Sequence, residues 1–126
     1  MYTEKRFEET KDLLKTLIEI PSVSGSEEEL AKYIASVLDE YGVDEVFLQE
    51  VKPARYNVRG TFRGGKPGKT TLLTGHLDVV SAGDGWKTPP FKAVEIDGRI
   101  YGRGSNDMKA GLAVMMQCIK IACENR

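Results

Sequence analysis

The 126-residue sequence predicts an α/β fold. Apolar residues recur at helical spacing near both ends of the chain. Between about residues 43 and 101 they fall instead into short β-branched or aromatic runs separated by turn residues. Glycine adds a third signal. Ten of the 13 glycines lie between Gly60 and Gly104, so turns and close backbone approaches are concentrated there.

The elements follow in order. Residues 4–20 form an amphipathic helix: Phe7, Leu14 and Ile18 mark its apolar stripe, Leu13 and Leu17 widen it, and Pro21 stops it. PSVSGS is a turn. Ser26 and Glu29 have capping-box spacing, opening a second helix with Leu30, Ile34, Val37, Leu38 and Tyr41 inward and Gly42 at its end. The period then changes. Residues 43–51 and 56–62 read as strands, and TTLLTGHL (70–77) as a buried central one. A Gly/Pro loop over 81–90 holds the only Trp, and Asp97-Gly98 is a hairpin turn between 91–96 and 99–101. A third helix runs from Met108 to about Cys123, with Leu112, Met115, Met116, Ile119 and Cys123 inward. No repeat or linker divides the chain.

Charge and composition exclude several functions. Eighteen Lys+Arg against 19 Asp+Glu leave a net charge of −1, with no basic excess to drive binding to nucleic acid or an anionic membrane. No run approaches the ~20 apolar residues of a membrane span. MYTEKRFEETKDLLK is too charged for a secretory signal. Two cysteines make no disulfide framework. The expectation is a soluble, cytoplasmic chain. Cys118 and Cys123, five apart on a helix, do not share a face and read as buried small hydrophobes.

GGKPGKT resembles a phosphate-binding loop but fails on inspection. The position that needs the first Gly is Arg63, and the loop leads into a β-prone run instead of a helix. One His among many Ser gives no discriminating Ser-His-Asp set. His76 and Asp78 are more informative. Residues i and i+2 of a strand share a face, so imidazole and carboxylate project together past a strand's carboxyl end. A metal-bound His commonly donates its other N–H to such a carboxylate. Alone the pair is equally a hydrogen-bonded His at a strand end. Asp107, after GRGSN and before a helix, is either an N-cap or a second oxygen ligand beside His76.

Three blocks, GHLDVV, DGW…PPF and YGRGSNDMKAGLA, resemble in order and spacing those of the acetylornithine deacetylase, succinyl-diaminopimelate desuccinylase, aminoacylase and carboxypeptidase G family. Its members are co-catalytic, usually dizinc, amide hydrolases. IPSVSGSE and ARYNV fit the same pattern, so the resemblance covers essentially the whole chain. It implies that residues 1–126 are the N-terminal portion of a three-layer α/β/α catalytic domain with a mixed sheet, without a second domain. It implies two zinc ions per complete active site, with cobalt as a substitute. His76 is then a ligand of one zinc and Asp107 the carboxylate bridging both. Asp78 stands among the catalytic residues as the carboxylate that orients His76. The resemblance also implies a cis peptide at Asp107–Met108, rare where no proline follows. Gly104, Lys109 and Gly111 are expected to shape that turn, and Trp86 and Phe91 to pack the loop over the core.

The family's members are longer. They supply a Glu base, further acidic ligands, a late His and a dimerisation domain after the third helix. Downstream of Asp107 this sequence has only the acid Glu124, so the expectation is an incomplete ligand set and an inactive fragment. The implied substrates are N-acylated amino acids or short peptides with a free carboxylate. GRGSNDMKAGL leans to the deacetylase and desuccinylase branch. A zinc dipeptidase or carboxypeptidase is the alternative within the family, and a non-catalytic binding or assembly module the alternative outside it. Strands without partners would leave an exposed edge or apolar surface and favour a homo-oligomer.

Overall fold

The computed structural model describes residues 3–126. Its order is α1 (Glu4–Glu19), α2 (Glu28–Glu40), β1 (Glu45–Lys52), β2 (Arg55–Thr61), β3 (Val94–Ile96), β4 (Arg99–Tyr101), a π-helical turn (Ser105–Lys109) and α3 (Ala110–Glu124). The mixture of helix and strand is the α/β class that the sequence predicts.

Local chemistry accounts for the helix ends. The Thr3 hydroxyl accepts the Arg6 N–H at 3.3 Å and opens α1. Pro21 follows its last turn. Gly42, at φ +77°, takes the left-handed conformation that lets the chain leave α2. The α2 start differs from the capping box. Its N-cap is Glu27, without a side-chain cap. The Glu27 carboxylate turns back instead to accept the Gly25 N–H at 2.9 Å and a fork from Arg55. A guanidinium outcompetes a helix amide for that carboxylate.

The core sits where the three helices meet. Leu17 and Leu30 are fully buried, and Ile34, Val37, Leu38, Leu112, Ala113 and Met116 pack around them. At about 2–3 kcal/mol per buried aliphatic side chain, this cluster supplies most of the local stabilisation. Phe7 departs from the expected stripe: it is exposed, with the Lys11 ammonium 6.0 Å from its ring. Cys118 is exposed and Cys123 half-buried, which corrects the buried reading of the first. Outside the core, Glu9 on α1 receives Lys120 and Gln117 from α3 at 2.9 and 3.3 Å.

β1 and β2 pair antiparallel, from Glu45 opposite Thr61 to Glu50 opposite Tyr56. Val46 and Val58 lean onto the helical core. β3 and β4 form the hairpin expected at Asp97-Gly98, whose φ values of +50° and +72° suit a tight hairpin turn. Glu95 on β3 ties this hairpin to Lys15 of α1 at 2.7 Å.

Residues 70–77 do not form the buried strand that their composition suggests. They are irregular, and Leu72 and Leu73 are 81% and 45% exposed. Their β-favouring side chains would suit a sheet interior, but no described strand lies alongside to supply ladder hydrogen bonds. Order returns at Val79, which makes a parallel bridge with Val23.

The Glu27–Arg55 contact gives an acid-dependent stability. Burial raises the Glu27 pKa, but the Gly25 N–H and the Arg55 guanidinium together outweigh it and hold the carboxyl below its usual 4.5. A depressed carboxylate stabilises the fold above its unfolded pKa, and that stability is lost as pH falls through the folded one. Glu27→Gln is expected to cost about 1–2 kcal/mol at neutral pH, at the modest end because Arg55 is half-exposed. The difference should shrink below about pH 4.5. Urea midpoints of both proteins across that range test it; a constant difference would contradict the assignment.

Candidate metal centre

The connector between α1 and α2 holds the segment that carries His76 and Asp78. The Val79 N–H donates to the Ser22 carbonyl at 2.9 Å, and the Ser24 N–H donates to the Val79 carbonyl at 3.0 Å. The Ser22 hydroxyl, fully buried, donates to the Leu77 carbonyl at 2.8 Å. These bonds hold the chain extended after His76, so residues 76 and 78 do share a side.

A second element brings Asp107 to the same place. Gly104 turns the chain at φ +86°, and a side chain there would stand 2.6 Å from Val79 Cγ1. The Lys109 N–H donates to the Gly104 carbonyl at 2.9 Å, closing the turn that precedes α3. Within the turn Asp107 leaves helical geometry (φ −122°, ψ 98°), and the Asp107–Met108 peptide is cis, as the resemblance implies.

Lys109 anchors this turn. It is 1% exposed, and its ammonium donates to the Leu17 and Ile20 carbonyls at 2.7 and 2.8 Å. No basic residue lies in the last turn of α1, so Lys109 supplies from another element the positive charge that a helix C-terminus favours. Burial lowers its pKa to about 8. The turn-shaping role expected of Gly104 and Lys109 thus has an atomic basis.

The three candidate residues converge. His76 Nε2 lies 2.9 Å from Asp107 Oδ1. Its Nδ1 lies 3.0 Å from the Asp78 carbonyl and 3.3 Å from Asp78 Oδ1. The Ser24 hydroxyl donates to Asp78 Oδ2 at 2.5 Å. Asp107 beside Nε2 holds the imidazole pKa above its ordinary 6.5, against the opposing effect of burial. The Ser24 hydroxyl does most to hold the Asp78 carboxyl below its ordinary value. The His76 and Asp107 side chains are 47% and 81% exposed, so the pair stands on an open face. Two concave surfaces, of about 380 and 330 Å³, lie elsewhere: the first beside Ser26 and Lys32, the second beside Tyr33 and Gln117.

The donor chemistry suits part of a zinc site. With Nδ1 occupied by Asp78, Nε2 is the nitrogen left to bind, and it faces a carboxylate with two oxygens. Among the described residues there is no group of three His, Cys, Asp or Glu placed to hold a metal ion. His76 Nε2 and the Asp107 carboxylate are two donors of kinds that zinc takes. Trp86 packs its own loop: its N–H donates to the Ala82 carbonyl at 2.7 Å, and the Arg103 guanidinium lies 5.1 Å from its ring.

Sequence reasoning missed Ser24 as a partner of Asp78. Three serines, 22, 24 and 26, share that turn, and spacing does not tell them apart. Nor did it find Lys109's contact with α1, although a lysine between Met108 and the apolar start of α3 is itself a cue for a specific partner.

Comparison with known proteins adds independent information. Residues 72–126 match the family described as Peptidase family M20/M25/M40. A succinyl-diaminopimelate desuccinylase of Sulfurimonas denitrificans is 37% identical over 111 residues, covering 88% of this chain and 29% of its own. One from a Nitratiruptor species is 36% identical over 122 residues, covering 90% and 30%. A probable succinyl-diaminopimelate desuccinylase of Staphylococcus epidermidis is 35% identical over 106 residues, covering 82% and 25%. The chain thus spans between a quarter and a third of the length of these curated relatives.

Proposed function

The chain belongs to Peptidase family M20/M25/M40, and from that premise we propose that it forms part of a zinc-dependent amide hydrolase that deacylates N-acyl amino acids. The names of the relatives favour an N-succinyl amino acid such as succinyl-diaminopimelate. Acetylornithine-type substrates belong to the same chemical class. The observation that carries the reading is the ordered contact series Asp78–His76–Asp107, with Nδ1 on the Asp78 main-chain carbonyl, 3.3 Å from the Asp78 carboxylate, and Nε2 facing the Asp107 carboxylate.

In this reading His76 and Asp107 hold metal, and Asp78 keeps the proton on Nδ1 so that the Nε2 lone pair stays available. Lys109 and Gly104 fix the turn that presents Asp107. Zinc, when bound, supplies the Lewis acidity that activates water and polarises an amide carbonyl near neutral pH. The two carboxylates beside His76, Asp78 and Asp107, are both committed in this reading to orienting the imidazole and holding metal, which leaves neither to take the water's proton. Two donors also fall short of the roughly four ligands that each zinc takes. The 126-residue chain by itself is therefore a partial centre, expected to show no turnover. Incubation with zinc or cobalt and N-succinyl-diaminopimelate or N-acetylornithine, with the released amine quantified, tests this. Metal-dependent turnover by the 126-residue chain would overturn the partial-centre reading.

A further inference from the structure

We propose that Met108 is a positioning residue of this site: its side chain reaches from the Asp107 turn to Gly75, seats its methyl between Gly75 and Gly111, and so sets the spacing of the His76 imidazole and the Asp107 carboxylate. The inference rests on the reading of those two side chains as a metal-binding pair and adds the residue that spaces them.

The need for such a contact lies in the segment that carries His76. After His76 the chain is tied to the connector between α1 and α2 through Leu77 and Val79. Before it, residues 70–75 are irregular and exposed. Among the described residues, the main chain from 70 to 76 makes no hydrogen bond to another backbone group. Met108 supplies an anchor on that side. The His76 N–H donates to Met108 Sδ at 3.3 Å. A Cβ on Gly75 would stand 2.6 Å from Met108 Cε and 2.8 Å from its sulfur, and one on Gly111 would stand 3.0 Å from the same Cε. Two glycines, one beside His76 and one in the first turn of α3, thus leave room for a single methyl group.

Met108 also packs against the helical core, and Asp107 is its neighbour in the chain. One side chain therefore joins the backbone of one donor to the residue beside the other. A thioether suits the task, because it is unbranched, turns about three bonds and fills irregular gaps. Its sulfur is only a weak acceptor, so packing at Gly75 does the spacing and the N–H contact follows from it. Gly104 and Lys109 hold the same turn against Val79 and α1, a different surface.

The test needs neither metal nor titration. Nuclear Overhauser contacts between the ring protons of His76, the one histidine in the sequence, and the Asp107 Hβ protons report the spacing of the pair in the metal-free chain at one fixed pH. Met108→Ala is expected to weaken them several-fold, with circular dichroism unchanged. Met108→Leu, close in volume and still apolar, is expected to keep them within about two-fold. Met116→Ala empties a buried position on α3 and is the control: it should lower the melting temperature and leave these contacts unchanged. If Met108→Ala fails to fold, Gly75→Ala presses on the same methyl from the other side, with no left-handed φ to strain it, and should weaken the contacts too. Unchanged contacts in folded Met108→Ala, or in Gly75→Ala in its place, overturn the proposal. So does an equal loss in Met116→Ala, or a loss in Met108→Leu as deep as that in Met108→Ala. Each of these failures leaves the zinc reading intact, because that reading is decided separately by metal binding at Nε2.

Discussion

Replacing His76 by alanine is expected to lower N-acyl amino acid hydrolysis by about 100-fold or more in an enzyme that carries this chain with its full ligand set. Loss of a residue behind a metal ligand costs about 10–100-fold, and a direct ligand belongs at or beyond the top of that range. The argument depends on where each ring atom lies. Nε2 is 2.9 Å from Asp107 Oδ1, and Nδ1 is taken by Asp78, so no other atom of His76 is free to serve. Asp78→Asn should behave differently. It keeps the size of the side chain but removes the charge that favours a proton on Nδ1, and its loss should fall within the 10–100-fold range. Steady-state rates at saturating zinc check both. Activity of His76→Ala within a few-fold of wild type would show that the ligand assignment is wrong.

Gly104→Ala should be among the most destabilising single-methyl changes in the chain, at about 2–5 kcal/mol. Two costs combine. At φ +86° an L side chain pays about 1–2 kcal/mol for the left-handed conformation. The new Cβ would also stand 2.6 Å from Cγ1 of Val79, a side chain only 3% exposed and unable to swing away. Forcing an extra methyl group into such packing costs about 1–3 kcal/mol. For a chain of this length the melting temperature should fall by roughly 10 °C. Gly64→Ala is the matching control. It has no neighbour within 4 Å of the added atom and no left-handed φ, so its effect should stay within about 0.5 kcal/mol. Equal melting temperatures for the two variants would contradict the close approach. Because Gly104 also sets the turn before Asp107, its variant should weaken metal binding even under conditions where it is folded.

The elements and the site were legible to different degrees, for physical reasons. Amphipathic spacing located all three helices, since their apolar faces meet one another and the period is a local property. The Asp97-Gly98 hairpin was equally local. Residues 70–77 were misread because β-branched, apolar composition describes what a sheet interior needs, whereas a strand forms only where a neighbour offers hydrogen bonds. Glu27 displaced the expected capping box because its partner, Arg55, lies 28 residues away and no local pattern announces it. The convergence of His76, Asp78 and Asp107 was accessible through the His-x-Asp spacing and the resemblance of GHLDVV and GRGSNDMKAGLA to a known family. Ser24 and Lys109 were not. Each acts through a contact between distant segments, Ser24 across 54 residues and Lys109 across 92 and 89.

The central claim is that His76 binds metal through Nε2 beside Asp107 while Asp78 keeps Nδ1 protonated. Zinc titration of the chain, followed at the nitrogen signals of its single histidine, tests this most directly. The account predicts that the Nε2 signal responds to zinc, that Nδ1 retains its proton, and that Asp107→Asn weakens the response. Histidine signals unmoved by zinc in the folded chain, or a response through Nδ1, would contradict it.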